Sequence, residues 1–215
     1  MAKSKSWSKR SKFNDCRMVI SGIQKATFID YPGKLAATLF LSGCNFRCPF
    51  CHNRNLVLSG DWEEKISQRE ILDFLKQRKK YLEGVCITGG EPLIHKKTPL
   101  LIAKIKKLGY AVKLDTNGTN PEMLKELIDS KQVDYVAIDI KSSPEKYRDV
   151  CGVEADVEAV TKSIKLVLDS NLDYEFRSTL LPRWHDADEV EKMAKMIKGA
   201  KREIGVESVR WRGVR

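Results

Sequence analysis

At 215 residues and a formal net charge of +10, the chain is long enough for one well-buried core and short for two. No window holds the roughly 18 uninterrupted apolar residues of a membrane helix, and no apolar core follows the basic N-terminus as in a signal peptide, so a cytoplasmic protein with no membrane partner is expected. The positive balance admits an acidic protein, a nucleotide or a nucleic acid, but a solvated lysine-rich surface accounts for it equally well, and nucleic acid is not the expected partner.

Residues 1–17 are basic, serine-rich and aperiodic, and are expected to be a disordered tail ahead of a single domain over 18–215. Leu35 to Leu41 (LAATLFL) reads as a strand buried on both faces, ending at Gly43. Ser67 and Glu70 form a capping box ahead of an Ile71, Phe74, Leu75 stripe, which predicts a helix over 67–80. Strand Val85 to Thr88 then stops at Gly89-Gly90. The alternation continues with a helix near 98–107, strand Ala111 to Asp115, a helix with Asn120 before it and Pro121 in its first turn, and strand Tyr135 to Ile140. A helix on the Val157, Val160, Ile164, Val167, Leu168 stripe, strand Tyr174 to Leu180, and a helix near Asp186 complete the series. In the last helix Asp186 and Glu189 fit an acidic capping box before Val190, Met193, Ala194 and Ile197. Strands alternating with helices predict an α/β fold with a parallel sheet. Five strands, with Val206 to Trp211 as a candidate sixth, suit an open partial (β/α)6 barrel with its helices outside. In such folds chemistry sits at the C-terminal ends of the strands.

Three of the six cysteines, Cys44, Cys48 and Cys51, fall in CNFRCPFC on the loop after the first of these strands. Clustered thiols in a chain without a secretion signal point to metal or redox chemistry. Iron–sulfur clusters are usually held by four cysteines. Three local ligands would leave one iron open for substrate, as at catalytic zinc. A zinc site would need a fourth ligand, and His52 is awkwardly placed to share a metal with adjacent Cys51. A thioredoxin-like Cys48-Pro49-Phe50-Cys51 pair leaves Cys44 without a role. Cys16 lies in the tail, Cys86 reads as a core residue and Cys151 as a loop thiol. His95 and His185 are expected on surface loops. The facing of Arg177 is undecided.

CxxxCxxC after one strand and Gly89-Gly90-Glu91-Pro92 after the next resemble the radical S-adenosylmethionine (SAM) superfamily. Asp30-Tyr31-Pro32-Gly33-Lys34, Cys48 to Asn53 (CPFCHN), Asp115-Thr116-Asn117-Gly118 and Asp139-Ile140-Lys141 narrow the resemblance to activating enzymes of glycyl-radical enzymes, in particular those of anaerobic ribonucleoside-triphosphate reductase. It runs from Ile23 to Ala200, and the sequence beyond departs from that family. The resemblance implies a 4Fe-4S cluster on Cys44, Cys48 and Cys51, and SAM chelating the open iron. Gly89 and Gly90 would let backbone approach its methionyl part, and Glu91 would accept from its ammonium. Phe50 would pack near adenine, with backbone around His52 reading the adenine edge. Lys141 would stand at the cofactor carboxylate as the expected catalytic side chain. Asp115, Thr116 and Asp139 match ligands of a monovalent cation, although Asp-Thr-Asn-Gly also suits ordinary turn chemistry. The implied activity is reductive cleavage of SAM to a 5′-deoxyadenosyl radical, which takes hydrogen from a glycine of a partner enzyme, with flavodoxin or ferredoxin as electron donor. A radical SAM enzyme acting on a small molecule or an RNA base is the alternative.

Overall fold

The computed structural model describes residues 18–58 and 66–200. The expected tail and the candidate strand Val206 to Trp211 lie outside the described residues. Among the described residues no helix is long and apolar enough to cross a membrane.

Five strands run parallel in sequence order: β2 (Ala36–Leu41), β3 (Gly84–Gly89), β4 (Ala111–Thr116), β5 (Tyr135–Asp139) and β6 (Asp173–Arg177). Alternate side chains on a strand point to opposite faces. One set, including Leu39, Ile87, Leu114, Ile138 and Phe176, enters the hydrophobic core. The other set, including Thr38, Thr88, Asp115, Asp139 and Arg177, faces a cavity. As expected of Leu35 to Leu41, β2 is buried on both faces, with Phe40 alone partly exposed, and Thr38 and Phe40 also line the cavity.

The sixth strand comes from the N-terminal side. β1 (Ile20–Thr27) pairs antiparallel with β2, Ile20 opposite Leu41 and Thr27 opposite Ala36. Its sequence gave little warning, because only Ile20 and Thr27, at its two ends, are buried. It is a largely polar edge strand, held by its ladder to β2 and anchored in the core by Ile20 and in part by Ile23. The sheet order is β1 through β6, an open α/β sheet as expected, except that its first strand is antiparallel. β6 ends at Arg177, short of the expected Leu180, where the Ile140 N–H donates to the Arg177 carbonyl at 2.8 Å.

The helices follow their stripes. α1 (Arg54–Leu58) and α5 (Tyr147–Cys151) are short, and the sequence pattern did not predict them. α2 (Gln68–Arg78) carries both halves of the Ser67–Glu70 capping box. α3 (Thr98–Lys107) and α4 (Pro121–Asp129) start as expected, α4 capped by Asn120. α6 (Val157–Leu168) buries Val160, Ile164 and Val167. In α7 (Ala187–Met196), Asp186 accepts from the Glu189 N–H at 2.8 Å, but the Glu189 side chain does not close the predicted box. It turns inward instead. Glu189 is 1% exposed, and its Oε1 accepts from the Ser142 hydroxyl at 2.7 Å and the Ser143 N–H at 2.6 Å, just beyond β5. The Lys146 ammonium stands 3.4 Å from Oε2.

Both histidines expected at the surface are buried. His95 Nε2 meets the Ser42 carbonyl at 2.7 Å, and burial lowers its pKa, keeping it neutral. His185 Nδ1 accepts from the Leu181 N–H at 3.0 Å while Nε2 meets the Lys141 carbonyl at 2.9 Å. Each fastens a loop to the C-terminal end of a strand, His185 through both ring nitrogens and His95 through Nε2 alone.

Burial works against ionisation of Glu189, but the Ser142 and Ser143 hydrogen bonds and Lys146 outweigh it and hold the carboxyl at about 2, below the ordinary 4.5. A depressed carboxyl stabilises the fold above its unfolded pKa, and that stability drains as pH falls through the folded value. Glu189→Gln is therefore expected to lower the anaerobic melting midpoint at pH 7 by roughly 3–10 °C, the equivalent of about 1.5–3 kcal/mol. The gap from wild type should close between about pH 4.5 and 2, and a gap that persists unchanged at the acid end would rule out this role.

Candidate active site

The loop after β2 is tied at both ends. Gly43 N–H donates to the Leu56 carbonyl at 2.8 Å, and Arg47 N–H to the Cys151 carbonyl at 2.8 Å. Arg47 Nη1 donates to the Cys44 and Phe46 carbonyls at 2.6 and 2.7 Å, drawing the loop tight. Phe46 is buried against Tyr147 of α5, their ring centres 6.3 Å apart. Gly152, with φ +70°, lets α5 end directly against this loop, since a Cβ there would lie 2.6 Å from the Arg47 carbonyl oxygen. Cys44, Cys48 and Cys51 are free thiols lining the same cavity. Cys44 Sγ accepts from the Phe46 N–H at 3.3 Å. Burial and the Glu91 carboxyl push its pKa up to about 12, so it ionises only when a cation binds it. A hydrogen bond with Cys151, helped by Lys141, draws the Cys48 thiol below its ordinary range against the opposing effect of burial. Cys151 is thus no bland loop thiol: it is buried at the end of α5 and touches one of the three.

The Gly89-Gly90 turn is needed by the protein's own backbone. Gly90 N–H donates to the Leu41 carbonyl at 2.8 Å and Glu91 N–H to the Gly43 carbonyl at 2.7 Å. A Cβ on Gly89 (φ +119°) would stand 2.3 Å from the Leu41 oxygen, and one on Gly90 1.8 Å from the Gly43 oxygen. Glycine is required here because β2 and the cysteine loop fill the space that a side chain would take, and both glycines line the cavity. Glu91 is 1% exposed and caps a 3-10 turn, Pro92–Ile94. Its Oε1 accepts from Leu93 N–H at 2.9 Å and Thr116 Oγ1 at 2.8 Å, and its Oε2 from Asn117 N–H at 2.6 Å. Burial raises its pKa to about 7 against the pull of those donors. The carboxylate thus locks the end of β4 to the end of β3.

Opposite the cysteines lies an ion network. Arg177, whose facing the sequence left undecided, points into the cavity. Its Nε stands 3.0 Å from Asp139 Oδ1 and its Nη1 3.1 Å from Asp115 Oδ2. Lys141 Nζ is 3.1 Å from Asp139 Oδ2. Lys113, 1% exposed, sits 2.5 Å from Asp115 and 3.2 Å from Glu175. Burial opposes ionisation of Asp139, yet Lys141 and Arg177 hold its carboxyl far below the ordinary range. Burial likewise disfavours the charged forms of Lys141 and Lys113, and their carboxylate partners win in both. The three residues expected to ligate a monovalent cation are thereby committed: Asp115 and Asp139 to protein cations, Thr116 to Glu91. They do not fit that group.

Every residue that the resemblance assigned to the cluster, SAM or a cation lines one cavity of about 300 Å³: Cys44, Cys48, Phe50, Cys51, His52, Gly89, Gly90, Glu91, Asp115, Thr116, Asp139 and Lys141. Arg177, Asp30 and Asn53 join them. Asn53 Nδ2 donates to the Gly89 carbonyl at 2.9 Å, and Asp30 accepts from Thr38 Oγ1 at 2.6 Å. The alternations Lys113-x-Asp115, Asp139-x-Lys141 and Glu175-x-Arg177, charged residues two apart on successive strands, were the available signal for the network. A family model described as the radical SAM superfamily matches residues 38–202. The chain belongs to that superfamily. A Methanocaldococcus jannaschii protein named as a glycyl-radical enzyme activating enzyme is 37% identical over 190 residues, 85% of this chain and 76% of its own length. The pyruvate formate-lyase-activating enzyme of Clostridium pasteurianum is 27% identical over 186 residues, 83% of this chain and 76% of its own. Among solved structures, Streptococcus suis SuiB bound to SAM superposes with a TM-score of 0.57 at 17% identity, over 73% of this chain and 38% of that one, a likeness of fold.

This radical SAM enzyme therefore has a 4Fe-4S cluster and SAM as its cofactors. The donor set is compatible with such a cluster. Cys44, Cys48 and Cys51 are free, half-buried thiols that line one cavity, and cysteine thiolates are the usual ligands of such clusters.

Because the Gly90 position is walled by backbone, Gly90→Ala should displace the cysteine loop or unfold the domain, costing about 3 kcal/mol or more. Gly22→Ala, whose Cβ would meet nothing nearer than Phe40 at 3.8 Å, should be neutral. Melting curves and iron content after anaerobic reconstitution check the pair, and a Gly90→Ala protein with wild-type values for both would refute the contact.

Proposed function

We propose that this radical SAM enzyme installs a glycyl radical on a partner protein, anaerobic ribonucleoside-triphosphate reductase being the partner its motifs favour, with flavodoxin or ferredoxin supplying the electron. The observation that carries the reading is the convergence of the three thiols, the Gly-Gly-Glu turn and Lys141 on one cavity at the C-terminal ends of the parallel strands. The 37% identity to a protein named as an activating enzyme supports the choice of a protein substrate.

In this reading Cys44, Cys48 and Cys51 hold the cluster, and Lys141 pairs with the SAM carboxylate. Phe50, with Trp184 packed 5.8 Å behind it, forms the apolar wall for adenine, beside exposed His52. Bound together, cluster and SAM supply a carbon-centred radical that takes hydrogen from the glycine. The protein's part is to fix geometry and to keep other hydrogen donors away. Lys141 is suited to its task because Asp139, Tyr147 and His185 hold it. Its N–H donates to the Tyr147 hydroxyl at 3.3 Å, and its carbonyl meets His185. The strand end that carries the ammonium is thus fixed on both sides. Glu91, enclosed by its three donors, shapes the turn in this reading.

The decisive experiment mixes the reduced, cluster-loaded protein with SAM and the reductase under anaerobic conditions and looks for the electron paramagnetic resonance doublet of a glycyl radical. SAM cleavage without that doublet, on the reductase and on other glycyl-radical enzymes alike, would exclude the protein substrate. Each of Cys44→Ala, Cys48→Ala and Cys51→Ala should abolish the cluster's visible absorption and SAM cleavage, while Cys86→Ala keeps both. Lys141→Ala should leave the cluster spectrum intact and weaken SAM binding by roughly ten- to a hundred-fold, the loss of one charge-assisted hydrogen bond. Unchanged affinity in that variant would remove Lys141 from the cofactor's carboxylate.

A further inference from the structure

The ion network beneath the cavity is balanced. Asp115, Asp139 and Glu175 face Lys113, Lys141 and Arg177, three charges of each sign, every one within 4 Å of an opposite partner. Arg177 stands at its centre. One planar guanidinium reaches Asp139 through Nε and Asp115 through Nη1, joining the ends of β4 and β5 from β6. Its backbone is fixed as well, since Arg177 pairs with Asp139 in the β5–β6 ladder and its carbonyl accepts from Ile140. A monovalent cation placed between the same two carboxylates would have to displace that guanidinium. It would also add an uncompensated positive charge to a partly buried network that is already neutral, and taking a charge even part of the way out of water without a partner is costly.

We propose that Arg177 does permanently what an exchangeable monovalent cation would do between Asp115 and Asp139, so that this enzyme binds SAM without potassium or sodium. Arg177 is in this sense a positioning residue: it holds the two aspartates, and through Asp139 the Lys141 ammonium, in place for the cofactor. Arginine suits the position because its fork spans two carboxylates at once and stays charged when buried, where a lysine offers a single point of charge. Removing it leaves three carboxylates against two ammonium groups, one negative charge in excess, and so creates the cation site that the native network excludes. The inference rests on the reading that SAM binds in this cavity.

The test titrates SAM into the full-length, cluster-reconstituted protein in anaerobic buffers of equal ionic strength containing tetramethylammonium, sodium or potassium. Wild-type dissociation constants should agree within about twofold in all three. Arg177→Met should lose about tenfold or more in tetramethylammonium and recover most of that loss in potassium, whereas Arg177→Lys should respond to cations less than Arg177→Met does. A merely structural role for Arg177 predicts a loss that no cation restores, so a folded Arg177→Met protein indifferent to potassium overturns the proposal. So does wild-type affinity that rises more than about twofold with either metal ion, an arm that decides the matter even if Arg177→Met fails to fold. No SAM binding by wild type in any buffer would instead overturn the reading of the cavity, and this inference with it.

Discussion

The site depends on a contact between two stretches of backbone. Where β3 ends, Gly90 and Glu91 donate to the carbonyls of Leu41 and Gly43, and the chain from β2 passes so close that neither Gly89 nor Gly90 has room for a methyl group. That contact fixes where the cysteine loop begins, in a way that side-chain packing alone would not, because a backbone hydrogen bond is directional and buried amides must be satisfied. Glu91 extends it sideways by taking Leu93, Thr116 and Asn117. Asn117 in turn donates to Asn45, inside the cysteine loop, at 2.8 Å. The ends of β2, β3 and β4 and the loop that carries the thiols thus form one hydrogen-bonded unit.

The rest of the cavity is built on a different principle. The outer face of the sheet is held by apolar burial, while its concave face carries Lys113, Asp115, Asp139, Glu175 and Arg177, groups that seldom leave water unless paired. Their mutual attraction offsets part of the desolvation cost, but buried ion pairs are a poor source of stability compared with hydrocarbon. A fold selected for stability alone would fill this face with leucine. Charged groups held here in fixed positions, partly shielded from water, interact more strongly with a bound charged ligand than they would at the surface.

Much of this was legible in the sequence. The helix starts at Ser67, Asn120 and Asp186 were marked by capping chemistry, and five strands by short apolar runs. The cysteine spacing and the Gly-Gly-Glu turn named the cavity's residues before their positions were known. What escaped has physical reasons. β1 lacks an apolar face because it is an edge, so periodicity carried no signal for Ile20 to Thr27. His95 and His185 looked like surface residues because a loop histidine usually is one, and only the fold reveals that each spans from a loop to a strand-end carbonyl. Glu189 fitted a local capping pattern, but a longer-range demand, the Ser142 hydroxyl and Ser143 amide on another element, took its carboxylate. Local rules lose where a buried donor has no other acceptor.

Glu189, His185 and Tyr147 all act on the segment around Lys141. Lys141 lies one residue before the pair that Glu189 holds, its carbonyl meets His185, and its N–H meets Tyr147. The segment that supplies His185 also supplies Trp184, whose ring packs on Phe50 between the second and third cysteines of the motif. A single stretch after β6 therefore touches both walls of the cavity, the thiol side through an aromatic contact and the ammonium side through a hydrogen bond. Tyr147 repeats the arrangement from α5, bonding to Lys141 while its ring packs on Phe46 of the same loop. The spacing between the thiol loop and Lys141 is thus set by two independent braces, each half aromatic and half hydrogen bond. Aromatic packing tolerates small shifts but hydrogen bonds do not. Both walls are hydrogen-bonded in their own right, the lysine end by Tyr147 and His185 and the thiol loop through Gly43, Arg47 and Asn45, so the aromatic contacts serve to tie one fixed wall to the other.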